Sequence, residues 1–348
     1  MHETPPVRFG ILGAANIARS FTKAVAASPF VSVAAVASRG EEKAAAFAAE
    51  LGIPRSHGSY EALLADPDID AIYIPLPNDL HAQWAIKAVQ AGKHVLCEKP
   101  LAMNAQEAIA MYEAADAHKV HLVEAYPYMS QPQTLKLREL LADGAIGRVQ
   151  SVFATFTVPF CTVEGVALRN PDDIRFDPAR GGGALLDLGT YAMSLIRIAM
   201  GERPDRMTSV ASHTPSGVDQ TVTSLMHFPS GGTGQFNCSL SSAHYRQAII
   251  IGESGIIETD YSNHADGHET LTMRVKHGAG KETVFDTISV PGTDGFLAEA
   301  ESFARMLRVA PQQWNGASRA ESIDIAYALE AMRDSFAKHA WVELAAAG

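Results

Sequence analysis

The chain has 348 residues, 47% hydrophobic and 19% charged, enough for roughly two globular domains and too apolar for extended disorder. Lys and Arg total 28 against 39 Asp and Glu, a formal net charge of −11, which excludes broad electrostatic binding of nucleic acid. The three cysteines, Cys97, Cys161 and Cys238, lie far apart without a C-x-x-C pair, so neither a zinc site nor a disulfide framework is expected and a reducing cytoplasm is the natural setting.

The segment Met1–Pro6 lacks the basic start and apolar core of a signal peptide, and no run of roughly 18 apolar residues marks a membrane span. From Val7 the chain alternates strands and helices. Apolar runs at Val7–Leu12, Val31–Ala37, Ala71–Pro75, Val95–Cys97 and His121–Glu124 predict strands. Asn16–Ala27, the Ala-rich Glu41–Leu51, Leu80–Ala91 and Asn104–His118 predict helices. Gly92 stands where the third of these would take a left-handed cap. Such alternation implies a parallel sheet with right-handed crossovers in a first domain over 1–125.

After Ala125 the pattern changes. Leu135–Leu141 predicts a short helix closed by Gly144. Strand-like runs follow at Val149–Thr157, Arg206–Ser212, Thr221–Phe228, Gly234–Leu240, Ala248–Gly252, Ile256–Asp260, Leu271–Lys276 and Thr283–Ser289. Turn sequences such as Pro229-Ser230-Gly231-Gly232 join them. Phe296–Leu307 and Glu321–Phe336 close the chain as amphipathic helices, and Ala345–Gly348 is expected to fray. The fold class is therefore α/β, with a second α/β domain over 126–348 built on a large, open, mostly antiparallel sheet. Two helices cannot cover both faces of so many strands. An exposed sheet face predicts a homodimer or homotetramer.

Five short segments carry chemistry. In the first turn, Gly13, Ala15 and Ala18 fall on G-x-G-x-x-G/A, with Ala15 replacing the middle glycine. Small residues at Gly13, Ala14 and Ala15 let the backbone approach a pyrophosphate, and Asn16 and Ile17 open the helix that would hold it. At the end of the second strand, where an NAD site carries Asp or Glu, the sequence reads Ser38-Arg39-Gly40. A hydroxyl and a guanidinium suit a 2′-phosphate, so NADP is expected over NAD, with Lys43 a further cofactor contact. A solvated surface arginine is the plain alternative for Arg39.

Pro77-Asn78-Asp79-Leu80-His81 and His94-Val95-Leu96-Cys97-Glu98-Lys99-Pro100 both follow strands, where open α/β sheets bind ligands. Gly181-Gly182-Gly183-Ala184-Leu185-Leu186-Asp187-Leu188-Gly189-Thr190-Tyr191 follows a long irregular stretch, and helical spacing puts Asp187 and Tyr191 on one face. That stretch offers Phe160, Arg169, Arg175 and Arg180 as candidates bordering a substrate. Asp66, Asp68 and Asp70 lack the Gly and Glu of a calcium loop and read as a solvated turn, so no metal is expected.

In order and spacing these motifs resemble the Gfo/Idh/MocA oxidoreductases over essentially the whole chain. The resemblance is strongest to the branch of NADP-linked aldose dehydrogenases, glucose-fructose oxidoreductase and dimeric dihydrodiol dehydrogenase. It implies a Rossmann dinucleotide-binding domain over 1–125, cofactor contacts at Pro77, Asn78, His81, Glu98 and Lys99, a peptide before Pro100 that can be cis, and an open sheet of the kind that often serves as an oligomer interface. It implies a catalytic Lys99, with Asp187 and Tyr191 facing the substrate. The implied reaction is hydride transfer between NADP and a carbinol carbon of a sugar or cyclic diol, of the aldose 1-dehydrogenase type. Alternatives are a sugar–sugar oxidoreductase or redox-assisted glycosidase with tightly bound cofactor, or a trans-dihydrodiol dehydrogenase. Tyr128 is a further substrate-binding candidate, but Tyr128–Pro132 lacks the Arg and His of the sugar-dehydrogenase pattern, which leaves the sugar open. A tyrosine with a reference pKa of about 10 is a weak base at neutral pH, and a nearby ammonium such as Lys99 lowers that barrier. Lys99 itself is the other possible proton carrier.

Overall fold

The computed structural model describes residues 5–170, 172–265, 268–281 and 284–344. Thr283 of the last predicted strand and the terminal segment Ala345–Gly348 lie outside the described residues.

The first sheet holds strands β1 (Val7–Leu12), β2 (Val31–Ala37), β3 (Arg55–His57), β4 (Ala71–Ile74), β5 (His94–Glu98) and β6 (Leu122–Ala125). They stand in the order β3-β2-β1-β4-β5-β6, and every pairing is parallel. Helices α1 (Asn16–Val25), α2 (Glu41–Leu51), α3 (Tyr60–Leu64), α4 (His81–Gln90) and α5 (Ala105–His118) connect them. The order reverses between β1 and β4, which opens a crevice at the carboxyl ends of those strands. Strand β3 and helix α3 were not evident from hydropathy. Arg55–His57 is only partly buried, and α3 is one short turn capped by the Ser59 side chain.

The second sheet begins after α6 (Pro132–Ala142). Its strands are β7 (Val149–Pro159), β8 (Arg206–His213), β9 (Asp219–His227), β10 (Thr233–Ser239), β11 (Ser241–Gly252), β12 (Gly255–Thr259), β13 (Thr270–His277), β14 (Asp286–Pro291) and β15 (Val342–Glu343). They run β14-β13-β12-β11-β7-β10-β9-β8-β15, antiparallel except for the central β7–β10 pair. Helices α7 (Thr190–Met200) and α9 (Arg319–Lys338) pack on one face of this sheet. A capping box between Ser318 and Glu321 starts α9. Phe153, Thr223, Leu225, Tyr245 and Ile249 line an open depression on the sheet, with Leu225 47% and Tyr245 56% exposed.

Helix α8 (Gly295–Arg308) returns to the first sheet. Its Phe296, Ala300, Phe303 and Met306 share one buried cluster with Val7, Phe9 and Phe21, and the Phe9 and Phe303 rings are 5.6 Å apart. A core that draws on both ends of the chain fixes the second sheet against the nucleotide crevice. Pro178–Met200, where no membrane span is expected from the sequence, is long and apolar enough for one by length and composition alone. However, 83% of its most apolar window is buried in the protein, as a core helix would be.

Candidate active site

The first βα turn is shaped for an anion. Gly13 has φ 114°, and a Cβ there would sit 3.0 Å from Leu76 Cδ2. Its N–H donates to the Ala37 carbonyl at 2.9 Å, which ties the turn to β2. Ala15 precedes α1 in an extended conformation and offers no side-chain cap, so the first-turn amides of α1 are left for a ligand. Ala14, Ala15, Asn16 and Ile17 line a groove of about 420 Å³, together with Lys43, Pro77, Asn78, Glu98, Lys99, Arg175 and Asp187. Ser38 is buried at the end of β2, while Arg39 is exposed and makes no ion pair among the described residues. Uncapped amides, a small-residue turn and a free guanidinium beyond β2 fit NADP.

His81 lies behind the groove and not on its wall. It is fully buried, with Nδ1 2.8 Å from the Pro100 carbonyl and Nε2 2.8 Å from the Leu76 carbonyl. Burial pulls its pKa down while the two carbonyls push it up. The residue braces the loop after β4 against the cis Lys99–Pro100 peptide after β5.

At the mouth of the groove, Lys99 Nζ donates to Asp187 Oδ1 at 3.0 Å and to the Asp187 carbonyl at 2.8 Å. The same ammonium lies 4.9 Å from the centroid of the Tyr191 ring. The other oxygen of Asp187 accepts from Arg175 Nε at 2.8 Å, and Arg175 is anchored in turn by Asp173. Burial alone would raise the pKa of Asp187, but Lys99 and Arg175 outweigh it and hold it at about 2. Burial likewise opposes the charge on Lys99, yet Asp187 keeps its pKa above the usual lysine value. Burial lifts the Tyr191 phenol above its ordinary value, and Lys99 is the largest opposing influence. Glu98 is buried beside Lys99, accepts from the Tyr73 hydroxyl at 2.6 Å and has its pKa raised by burial.

The glycine run before α7 explains this geometry. A Cβ on Gly183, at φ 115°, would collide with the Asp219 carboxylate, whose Oδ2 accepts the Leu185 N–H at 2.6 Å. Leu185–Gly189 then forms a π turn in place of the regular helix expected from the spacing of Asp187 and Tyr191. Both side chains still reach Lys99. The segment before the run crosses the groove. Asn78 Nδ2 donates to the Gly181 carbonyl at 2.9 Å, and Arg180 Nη1 to Asp79 Oδ2 at 3.0 Å. Phe160 lies under this segment, with Arg169 3.7 Å and Arg175 5.6 Å from its ring centroid.

Tyr128 is fully buried, so it supports the site from beneath. Its hydroxyl is 2.7 Å from Ser194 Oγ, and Ser194 Oγ donates to the Tyr191 carbonyl at 2.8 Å. Beyond Tyr191 a cavity of about 550 Å³ opens, lined by Phe156, His244, Tyr245, Arg246, Asp260, Ser262, Asn263 and His264. Sequence reasoning missed Arg246, Asn263 and Asp219. For Arg246 the signal was present. It shares strand parity with Ala248 and Ile250, which are fully buried, so a charge stood on a core face.

The description "Oxidoreductase family, NAD-binding Rossmann fold" matches residues 7–126, and the GFO/IDH/MocA C-terminal domain matches residues 134–258. The chain belongs to the Gfo/Idh/MocA oxidoreductase family. Within that family it is 37% identical to D-xylose 1-dehydrogenase (NADP(+)) 2 of Haloferax volcanii, over 97% of this chain and 99% of that one. It is 35% identical to trans-1,2-dihydrobenzene-1,2-diol dehydrogenase of Xenopus laevis, over 72% of this chain and 74% of that one. Among solved structures it resembles KijD10, a 3-ketoreductase from Actinomadura kijaniata in complex with NADP and TDP-benzene. The TM-score is 0.82 at 28% identity, covering 95% of this chain and 98% of that one.

Proposed function

We propose that this family member is an NADP-dependent dehydrogenase that oxidises a carbinol carbon of a sugar or cyclic diol, and reduces the carbonyl in reverse. The observation that carries this reading is the Lys99 ammonium, held by Asp187 and facing Tyr191 at the mouth of the dinucleotide groove. The first-turn amides of α1 would hold the pyrophosphate, and Ser38, Arg39 and Lys43 the 2′-phosphate end. Bound NADP supplies the hydride acceptor. Lys99 donates a hydrogen bond to the substrate oxygen and stabilises negative charge developing there. Tyr191 takes the hydroxyl proton, and Asp187 keeps Lys99 charged and aimed. The 37% identity to an NADP-linked xylose dehydrogenase supports the sugar assignment. The test is cofactor absorbance during a screen of aldoses, inositols, anhydrosugars and trans-dihydrodiols, with NADP and with NAD. NADP-linked turnover on at least one class is expected, and silence across all of them overturns the assignment.

One observation favours a second reading, in which the cofactor stays bound and shuttles a hydride between two sugars. The contacts Asn78–Gly181 and Arg180–Asp79 close the groove from above. Nucleotide that copurifies with the protein, together with turnover but no net reduction, would select this reading.

The exposed face around Leu225 and Tyr245 supports a homodimer or homotetramer built through the second sheet, and a monomeric mass by light scattering at micromolar concentration would refute it. The free, buried cysteines fit a reducing cytoplasm.

A further inference from the structure

Two cations approach the Tyr191 ring. Lys99 Nζ and Arg246 Cζ each lie 4.9 Å from its ring centroid, Lys99 from the end of β5 and Arg246 from β11. The two are compensated very differently. Lys99 has the Asp187 carboxylate, whereas Arg246 makes no ion pair among the described residues. Its guanidinium sits among the rings of Tyr128, Phe156 and Tyr261, at 5.3, 4.6 and 4.3 Å. Its Nε is buried without a partner among the described residues. Asp260 acts on it only from beyond ion-pair distance and is itself engaged by Gln133 Nε2 at 2.7 Å.

Arg246 does make one directed bond, from Nη2 to Asn263 Oδ1 at 3.2 Å. That bond occupies Asn263 Oδ1, and the Asn263 side chain acts on Tyr191 in favour of its ionised form. A partly buried guanidinium with a buried, unpartnered Nε and no carboxylate is a poor structural choice, since an apolar side chain would fill the same aromatic cage at lower desolvation cost. What gives the charge a purpose is an anion that exists only part of the time.

We propose that Arg246, directly and through its bond to Asn263, is a positioning residue that stabilises Tyr191 as a phenolate, so that the proton acceptor of the reaction has a second cation beside it as well as Lys99. The proposal rests on the reading of Tyr191 as proton acceptor. The groups acting on Tyr191 are then Lys99, Arg246 and Asn263 in favour of ionisation and buried Glu98 and Tyr73 against it, with the neutral Tyr126, Tyr128 and Phe156 rings packed around it. In the proposed mechanism Lys99 also donates to the substrate oxygen, whereas Arg246 lines the cavity beyond Tyr191 and not the dinucleotide groove. Arg246 therefore keeps the phenolate favourable while Lys99 is occupied.

The experiment reads Tyr191 directly, without turnover. The protein is labelled with carbon-13 at the tyrosine ring carbon that bears the hydroxyl. The Tyr191 resonance is assigned by its loss in Tyr191→Phe and titrated in the unmodified protein, Arg246→Met, Arg246→Lys and Asn263→Leu. Methionine matches the apolar cage, and Asn263→Leu tests the relay should Arg246→Met fail to fold. Arg246→Met and Asn263→Leu are expected to move the midpoint to higher pH by about one unit or more, with Arg246→Lys near the original value. A midpoint that both variants leave in place overturns the proposal. So does a wild-type Tyr191 that stays protonated up to the pH of unfolding. Where a substrate is turned over, the rise of kcat/KM for oxidation with pH should shift with the resonance, and parallel profiles at reduced height would also overturn it. A failed substrate screen bears on the proposed function alone, because the titration needs no substrate.

Discussion

Lys99 donates to both the carboxylate and the main-chain carbonyl of Asp187, so a single residue fixes the ammonium in place and keeps it charged. Fixed in this way, the ammonium can meet an alkoxide without reorganising. Lys99→Met should lower kcat by about 10²–10⁴-fold while NADP affinity changes little, and Tyr191→Phe should fall in the same range. The double variant should lose little more than the worse single one, because both serve one proton path. Single-turnover kinetics with separate NADP titration checks this. Near-normal turnover in Lys99→Met at saturating substrate would remove the mechanism.

Arg39 is exposed beyond β2 with no carboxylate paired to it among the described residues. Arg39→Asp removes the partner of a 2′-phosphate and supplies an acceptor for a ribose diol. The ratio of kcat/KM for NADP to that for NAD should drop by roughly 10-fold or more, the size of one lost charge-assisted contact. Steady-state kinetics with both cofactors decides it, and an unchanged ratio refutes the role given to Arg39.

Legibility in the sequence followed locality. The nucleotide turn, the strand ends bearing Asn78 and Lys99, and the Asp187–Tyr191 pair are short contiguous patterns, and each stands in the crevice. Helix α8 read correctly as amphipathic, but the sequence held no sign that its Phe303 packs on Phe9 across most of the chain. The burial of His81 and Tyr128 depends on which loops and helices come to rest over them, and residue type does not encode that. The π turn was hidden because its cause, Asp219 reaching the Leu185 N–H, lies on another strand. Arg246 was legible by strand parity alone.

Buried carboxylates behind the site give the protein an unusual pH response. Glu124 is 2% exposed, and burial raises its pKa to about 7, against the Leu101 N–H that donates to it at 2.9 Å. A carboxyl whose folded pKa exceeds its unfolded value favours the fold while protonated and loses that contribution as pH rises. The loss begins near the unfolded value of about 4.3 and levels off above pH 7. Glu124→Gln keeps an acceptor for Leu101 and removes the ionisation. Its Tm should therefore exceed that of the unmodified protein at pH 8, by on the order of 3–4 kcal/mol in stability, and converge with it near pH 4. Thermal unfolding across that range checks the sign. A constant Tm difference would show that Glu124 ionises freely in the fold.

The strap over the groove should govern how long the cofactor stays. Arg180 and Asp79 are partly exposed, so their ion pair contributes little to global stability, about 1 kcal/mol or less. Its position matters more than its strength. It ties the segment before Gly181 to the loop after β4, next to the Asn78–Gly181 hydrogen bond, and both contacts must break before that segment can lift. The glycines behind them hold the segment down. A Cβ on Gly181 would sit 2.5 Å from Met103 Sδ, and one on Gly182 2.6 Å from the Arg175 carbonyl. Arg180→Ala should therefore leave Tm nearly unchanged and raise the NADP dissociation rate several-fold. The hydride step, which the proposed mechanism gives to Lys99 and Tyr191, should be unaffected in a single turnover. If cofactor release limits the cycle, kcat rises in this variant, as expected when lid opening is the slow step. Stopped-flow displacement of the reduced cofactor, monitored by its fluorescence, measures the rate directly. A dissociation rate equal to that of the unmodified protein would mean that the segment opens without breaking the Arg180–Asp79 pair, and that the strap closes nothing.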